Sequence, residues 1–422
     1  MPKACFILAE TRTLKLLGYG YMKTETINAF KKTPLLLAMM IIATGQVGVS
    51  IYLPSLPLIS HDLAVSQAQV QSIVTFFLIS FGLSQLFYGP LSDAIGRRPV
   101  FLAGQGVYLL GTLICVLWAT SFEALLFGRF LQGLGAGSAS VLGRSVLRDS
   151  YNGPDLTKAL SYLSITASIL PIISPVFGGW LAYHVGWQSV FSAVLVYLIA
   201  IVTLGWKVLP ETLPYPKSRF NPVKVLKGYG ELITCKQVVS SASYNWISYL
   251  GAVVSLSVLP FLLQKQLGMT VSDYGEAMII PSAGLLIGSV TVNRLHKYFS
   301  QARLLCIAFS LMVVAGIWLL MMPLSAFHLI GAFTLLTVAQ GMSFPISMSM
   351  LLEPHPNRVG AVSALSGSIQ MCIAGFFGEF LVRNFVASQS DLGIFYCCTA
   401  LVMMLVLLVS RRTQKETKVP VS

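Results

Sequence analysis

Residues Tyr88 to Pro99 read YGPLSDAIGRRP, a short turn with one acid, Asp93, and two adjacent arginines, Arg97 and Arg98, between two long apolar stretches. Charge confined to so short a turn, with hydrocarbon-like sequence on both sides, predicts a loop joining two membrane-spanning helices. Its arginines place that loop on the cytoplasmic face.

The same alternation extends in both directions. The 422 residues are 55% hydrophobic and only 10% charged, with a mean hydropathy of +0.77. A water-soluble chain has no way to bury that much apolar surface. A helix needs about 20 apolar residues to cross a hydrocarbon core of roughly 30 Å. Twelve stretches qualify: 35–58, 66–88, 99–119, 122–147, 156–183, 187–208, 237–263, 273–295, 302–322, 326–351, 359–384 and 391–410. Runs of this length are not membrane β-strands, which need only about 10 residues and alternate between lipid and lumen. The expected fold class is an all-α integral membrane protein.

A net charge of +13 would in a soluble chain suggest a nucleic-acid partner, but its placement says otherwise. With the N-terminus inside, 25 of the 28 Lys and Arg residues fall on the cytoplasmic side. Lys265 and Arg383 lie opposite, and Arg129 lies within a predicted helix. This asymmetry orients both termini toward the cytoplasm and excludes nucleic acid as the reading of the basicity. Residues 1–33 form an expected cytoplasmic tail whose one apolar patch, CFILA, is too brief for a signal-peptide core. Met22, followed by Lys23 and the Lys31-Lys32 pair, reads as an alternative start. The cysteines lack metal-site spacing, so neither a disulfide framework nor a zinc site is expected.

The longest interruption, rich in Pro and Lys, divides six helices from six. The domains are therefore an N-terminal bundle at 34–208, a cytoplasmic central loop at 209–236, a C-terminal bundle at 237–410 and a cytoplasmic tail at 411–422. In the second half Ser289, Asn293, His296 and Lys297 stand at the spacing of Gly89, Asp93, Gly96 and Arg97, a faint echo consistent with internal duplication. Predicted helix 4 carries FGRFLQGLGAG, in which Gly133 and Gly137 form a small-xxx-small pair. Its Arg129 lies about 10 Å into the membrane at 1.5 Å per residue. Two readings stand: a snorkelling arginine, or one that organises proton or substrate coupling. Predicted helix 5 carries LPIISPVFGGW with Pro171, Pro175, Gly178 and Gly179. It reads either as a plain kink or as a rocking hinge or seal.

Taken together, the Gly89–Pro99 loop, the Arg129 motif, the helix-5 motif and the six-plus-six plan resemble the twelve-helix drug:proton antiporter branch of the major facilitator superfamily. The segments QSIVTFFLISFGLSQLFYGPLSDAIGRRPV and SIYLPSLP are similar to those of its Bcr/CflA multidrug transporters. The resemblance implies two pseudo-symmetric six-helix bundles in the bacterial inner membrane that export lipophilic or cationic drugs in exchange for protons by alternating access. It implies no cofactor beyond the proton gradient, and small-molecule substrates, protons and the lipid bilayer as partners. A monomer is expected because one chain supplies both halves of the pathway. The alternative is a proton-coupled exporter of a specific metabolite, sugar, siderophore or dipeptide. Motifs for zinc hydrolases, serine hydrolases and phosphate-cradling ATPases are missing from the sequence, so an enzyme is not expected.

Gly89, Asp93, Gly96, Arg97 and Arg98, with Pro175, Gly178 and Gly179, are the candidates for conformational gating. Asp93 is expected to meet either the helix-11 N-terminus near Gly360 or Arg144 of helix 4. Leu170 and Ser174 replace glycines usual in the helix-5 motif, and Pro171 is additional. Predicted helix 1, ATGQVGVSIYLP, lacks the carboxylate found in several Bcr/CflA relatives. Proton coupling thus falls to Arg129, Glu276 or Glu379, the two acids reading equally as interfacial residues or as groups at a cavity mouth. With helices 1, 2, 4, 7, 8 and 11 expected to line the cavity, the substrate candidates are Gln46, Tyr52, Phe77, Phe81, Tyr244, Asn245, Trp246 and Tyr249. These aromatic faces suit flat apolar molecules and cations, or are ordinary helix packing.

Overall fold

In the computed structural model, residues 32–213, 220–355 and 358–416 are described, apart from the side chains of 164, 168, 172 and 411–416. Nearly all of the expected N-terminal tail, 214–219 of the central loop and the last six residues lie outside them. The described chain forms twelve long helices: α1 (Lys32–Asp62), α2 (Gln67–Ile95), α3 (Arg97–Leu117), α4 (Phe122–Ser150), α5 (Gly153–Val185), α6 (Gln188–Val208), α7 (Lys236–Gln266), α8 (Val271–Leu295), α9 (Gln301–Met321), α10 (Ala326–Leu352), α11 (Val359–Asn384) and α12 (Gln389–Glu416). No strand occurs among the described residues. In hydrocarbon every backbone N–H and C=O must be satisfied within its own segment, and continuous helices achieve this.

The ends are set by local chemistry. Ser66 opens α2 and Thr270 opens α8 with reciprocal capping boxes, through Gln69 and Asp273 respectively. Gly96 separates α2 from α3 at φ +129°, a conformation that a side chain rarely adopts. Irregularities fall where sequence demands them: α1 passes through a 3₁₀ turn at Leu53–Ser55 beside Pro54, and α7 ends in a π-helical turn, Phe261–Gln266, after Pro260.

Eleven of the twelve helices are long and apolar enough to span a bilayer. The twelfth, α4, is 29 residues long but diluted by glycine, serine, Gln132 and Arg129. It tolerates that composition because it is enclosed by α1, α2 and α3: Gly133 meets the Phe77 carbonyl of α2, Gly135 the Tyr108 backbone of α3 and Gly143 the Ala38 carbonyl of α1. The C-terminal half repeats the device, Gly341 of α10 meeting the Leu285 carbonyl of α8. Helices α2 and α4 thus correspond to α8 and α10, the pseudo-symmetry of two six-helix bundles. Peripheral helices turn apolar stripes outward at three- and four-residue spacing, including Leu110, Leu113 and Leu117 of α3 and Leu401, Leu405 and Leu408 of α12. Between the halves, the stretch expected to be loop contains a helix, Pro222–Ile233.

Candidate functional site

A cavity of about 170 Å³ lies between the two halves. Its walls come from α1, α2, α5, α7, α8 and α10, and no Asp, Glu, Lys or Arg is among the lining residues. Polar groups are few: the amides of Gln46 and Gln340 and the hydroxyls of Ser50, Tyr249, Ser282 and Thr337. The remainder is apolar, including Leu78, Val253, Leu256 and Phe333. Such a wall solvates lipophilic solutes by dispersion and offers a few hydrogen bonds for orientation.

One turn behind this wall sits Arg129, 2% exposed. Its guanidinium lies between two rings, 3.9 Å from the Tyr52 centroid and 4.2 Å from that of Phe77. Nε donates to the Ile73 carbonyl (3.2 Å), Nη2 to the Gly48 carbonyl (3.2 Å) and Nη1 to Gln132 Oε1 (2.7 Å). Gln132 in turn donates to Thr112 Oγ1 at 2.8 Å. The arginine therefore ties α4 to α1, α2 and, through Gln132, α3. None of the ion pairs among the described residues involves it. Burial this complete rules out a snorkelling side chain.

On the side of the cavity away from the Lys- and Arg-rich loops, three sets of contacts join the halves. Helix α5 meets α8 with backbone against backbone: a Cβ on Gly179 would lie 2.6 Å from the Val271 carbonyl, and one on Gly275 would lie 2.7 Å from the Pro175 carbonyl. Gln264 Nε2 donates to the Pro54 carbonyl at 2.8 Å, joining α7 to α1. Ser72 Oγ of α2 donates to Glu379 Oε1 of α11 at 2.6 Å, and Thr75 Oγ1 to the Gly375 carbonyl at 3.2 Å. Gly178 performs a different task, admitting the Ile51 carbonyl of α1 within the N-terminal half.

At the basic end, the loop after α2 is bound into its own half. Arg97 donates to Asp93, to Ser92 Oγ (2.6 Å) and to Asp149 Oδ2 of α4 (2.9 Å). The Glu211 carboxylate accepts from the Arg97 amide at 2.8 Å, and Arg98 Nη2 donates to the Trp206 carbonyl at 2.6 Å. Gly89 lies against Val141 of α4.

Comparison with known proteins gives this architecture its family. The model of the Major Facilitator Superfamily matches residues 35–379. The chain belongs to the Major Facilitator Superfamily. Similar curated proteins include Multidrug resistance protein D of Escherichia coli (strain K12), 28% identical over 388 residues, with 88% of this chain and 94% of that protein covered. Multidrug resistance protein MdtL of Shigella dysenteriae serotype 1 (strain Sd197) is 29% identical over 369 residues, covering 86% and 92%. Among solved structures, the chain resembles a bacterial homolog to the human lysosomal transporter Spinster, in an inward-facing and unoccupied conformation. That match has a TM-score of 0.67 at 15% identity and covers 90% of this chain and 95% of that one. The molecule is a multi-pass membrane transporter and not an enzyme.

Within this Major Facilitator fold the residues singled out from sequence separate into groups. Gln46 and Tyr249 line the cavity. Tyr52 and Phe77 do not; they enclose Arg129, and Phe81 packs beside Phe77 with ring centroids 5.7 Å apart. The cavity face of α2 is instead Val74 and Leu78. Tyr244 is buried against Phe309 of α9, Asn245 is 3% exposed, and the Trp246 indole donates to the Ser366 carbonyl at 3.0 Å. Tyr244, Asn245 and Trp246 are consecutive and step about 100° apart around the helix, and of the four α7 candidates only Tyr249 reaches the cavity.

Glu276 is exposed, whereas Glu379 joins α2 to α11. Asp93 meets neither the start of α11 nor Arg144: Arg97, four residues on along the chain, captures it first, and the side chain near Gly360 is that of Arg148. Helices α4 and α11, expected in the wall, are replaced there by α5 and α10. Sequence reasoning passed over Ser282, Phe333, Thr337 and Gln340; the spacing of Phe333, Thr337 and Gln340 on one face of α10 was the available signal.

The two acids that hold Arg97 differ in exposure, and so in expected weight. The Asp93 side chain is 50% exposed and that of Asp149 only 11%. Exposed pairs contribute at most about 1 kcal/mol, whereas leaving a buried guanidinium short of its partner costs about 3–5 kcal/mol. Asp149→Asn is therefore expected to lower the thermal unfolding midpoint of the detergent-purified protein clearly more than Asp93→Asn. Equal shifts would overturn this ranking.

Proposed function

We propose that the chain exports lipophilic compounds, neutral or cationic, from the cytoplasm of a bacterium across its inner membrane in exchange for protons. The observation that carries the reading is a charge-free, mostly apolar cavity between the halves, with contacts made wholly between those halves on the face away from the basic loops. Contacts of that kind must break if the two bundles, 34–208 and 237–410, rock about the site. The names of the relatives, multidrug resistance proteins D and MdtL, support the substrate class. The Lys- and Arg-rich loops support placing the basic face and both termini in the cytoplasm, which makes the face of the α5–α8 contact the outer one. One chain contains the whole cavity, in keeping with a monomer.

Moving a cation outward against the membrane potential costs about 2.3 kcal/mol per charge per 100 mV, and inward proton movement offsets it. Glu379 is the acid placed to couple the two, because its carboxylate accepts the hydroxyl of Ser72 across the halves. Protonation replaces a charge-assisted hydrogen bond by a neutral one of about half the strength, loosening the seal from the proton-rich side. A specific exporter of a sugar, siderophore or dipeptide would need charged or densely polar walls, and the lining disfavours it.

The test uses energised everted vesicles with a fluorescent pH probe and a panel of neutral and cationic lipophiles. Addition of a substrate is expected to release protons only from vesicles containing the intact protein. Glu379→Gln is expected to reduce that release on the order of tenfold while leaving substrate binding intact. Unaltered release in Glu379→Gln would remove this residue from the coupling. No response to any compound, from protein shown to be inserted, would defeat the antiport reading.

A further inference from the structure

The helix between the two halves, Pro222–Ile233, carries more apolar surface than the protein covers. At about 100° per residue, its apolar arc runs in angular order through Leu232, Val225, Tyr229, Ile233, Leu226 and Val223. The first three are docked. Tyr229 and Leu232 pack with Leu351, Val362 and Leu365, and the Tyr229 hydroxyl donates to the Leu86 carbonyl of α2 at 3.1 Å. The last three are bare: Ile233 is 48% exposed, Leu226 55% and Val223 73%. Immediately beyond Val223 on the wheel come Lys227, Glu231 and Lys224. Glu231 is engaged by Arg358 at 3.1 Å, which leaves the two lysines as the charge of that edge. Lys217, Arg219 and Lys236 flank the helix in sequence. The helix docks against Leu86 toward the basic end of α2 and against Val362 and Leu365 of α11; Leu83 and Phe87, near Leu86 along α2, are 46% and 43% exposed.

We infer that this helix is an interfacial anchor that binds anionic phospholipid in the leaflet on the basic side. Val223, Leu226 and Ile233 enter the headgroup–acyl boundary, and Lys224 and Lys227 meet the lipid phosphates. An apolar flank bordered by lysine is the chemistry that such a surface recognises, and each lysine near it strengthens binding. A soluble protein partner would account for the apolar flank as well, but the helix is docked at the basic ends of membrane-spanning helices, where a leaflet surface is always present.

The full-length chain is placed singly in nanodiscs of phosphatidylcholine, alone or with phosphatidylglycerol added, and amide hydrogen exchange is followed over Pro222–Ile233. Phosphatidylglycerol is expected to slow exchange on the order of threefold, because docking raises the free energy of local opening. Raised salt, or Lys224→Gln combined with Lys227→Gln, is expected to erase the difference. Equal exchange of the intact chain in the two lipids would overturn the inference, as would slowing that survives in the double variant. Protection that arises only when cytosolic protein is added would assign the flank to a protein partner instead.

Discussion

Arg129→Ala is expected to reduce substrate-driven proton release by about two orders of magnitude at normal membrane insertion, and Arg129→Lys to recover little of it. The guanidinium makes three charge-assisted hydrogen bonds, each contributing about 1.5–3 kcal/mol, and its two ring contacts add about 2 kcal/mol when desolvated. Desolvating the cation costs several kcal/mol and offsets part of this, so proton release is read per inserted protein. What is lost is the particular arrangement of α1, α2 and α4 at the cavity's back wall. The acceptors at Gly48, Ile73 and Gln132 lie in a fork that one ammonium cannot match, and lysine stacks poorly between rings. Proton release from everted vesicles, normalised to inserted protein, measures both variants. Full activity of the lysine variant would reduce Arg129 to a point charge, and full activity of the alanine variant would remove it from the mechanism.

Gly179→Val should produce the second large effect, a seal that no longer closes. The added Cβ would meet the Val271 carbonyl at 2.6 Å, and the facing Gly275 is as tight against the Pro175 carbonyl. Both obstacles are backbone, so neither can turn aside. Overpacking of this kind costs about 1–3 kcal/mol, which shifts a two-state equilibrium by a factor of about 5–150. The protein should still fold, since the clash exists only while the halves touch on that face. With native cysteines replaced and Ser282→Cys as a reporter in the cavity wall, a membrane-impermeant maleimide added to the face away from the basic loops should label the Gly179→Val chain faster, and transport should fall. Unchanged labelling would mean that α5 and α8 do not gate that face. Gly178→Val is a useful contrast, because its obstacle is the Ile51 carbonyl within the same half; it should impair folding without selectively opening the face away from the basic loops.

The membrane class, the number of long helices and the division into six and six were legible because each rests on local composition. An apolar run of about 20 residues has few alternatives to a spanning helix, and glycine spacing in α4 announced close packing. The special status of Arg129 was legible too, since a guanidinium at that depth demands partners wherever they come from. Its partners were not: Tyr52, Phe77, Gly48 and Ile73 lie on two other helices, and sequence offered the two rings as substrate contacts. The same limit explains Asp93, for which a distant partner was expected while Arg97 stood one turn away, and Tyr244 and Trp246, which fill the C-terminal half.

The sequence by itself determined that this chain is a multi-pass membrane protein of twelve long helices, which of its faces is basic and which residues carry unusual chemistry. Those follow from hydropathy and charge summed along a single segment. Only the tertiary structure decided which side of each helix meets the cavity, that α5 and α10 rather than α4 and α11 build its wall, and that Glu379 joins the halves. A helix rotates its side chains through a full turn in under four residues, and the choice among those faces is made by the shapes of the neighbours against which it packs.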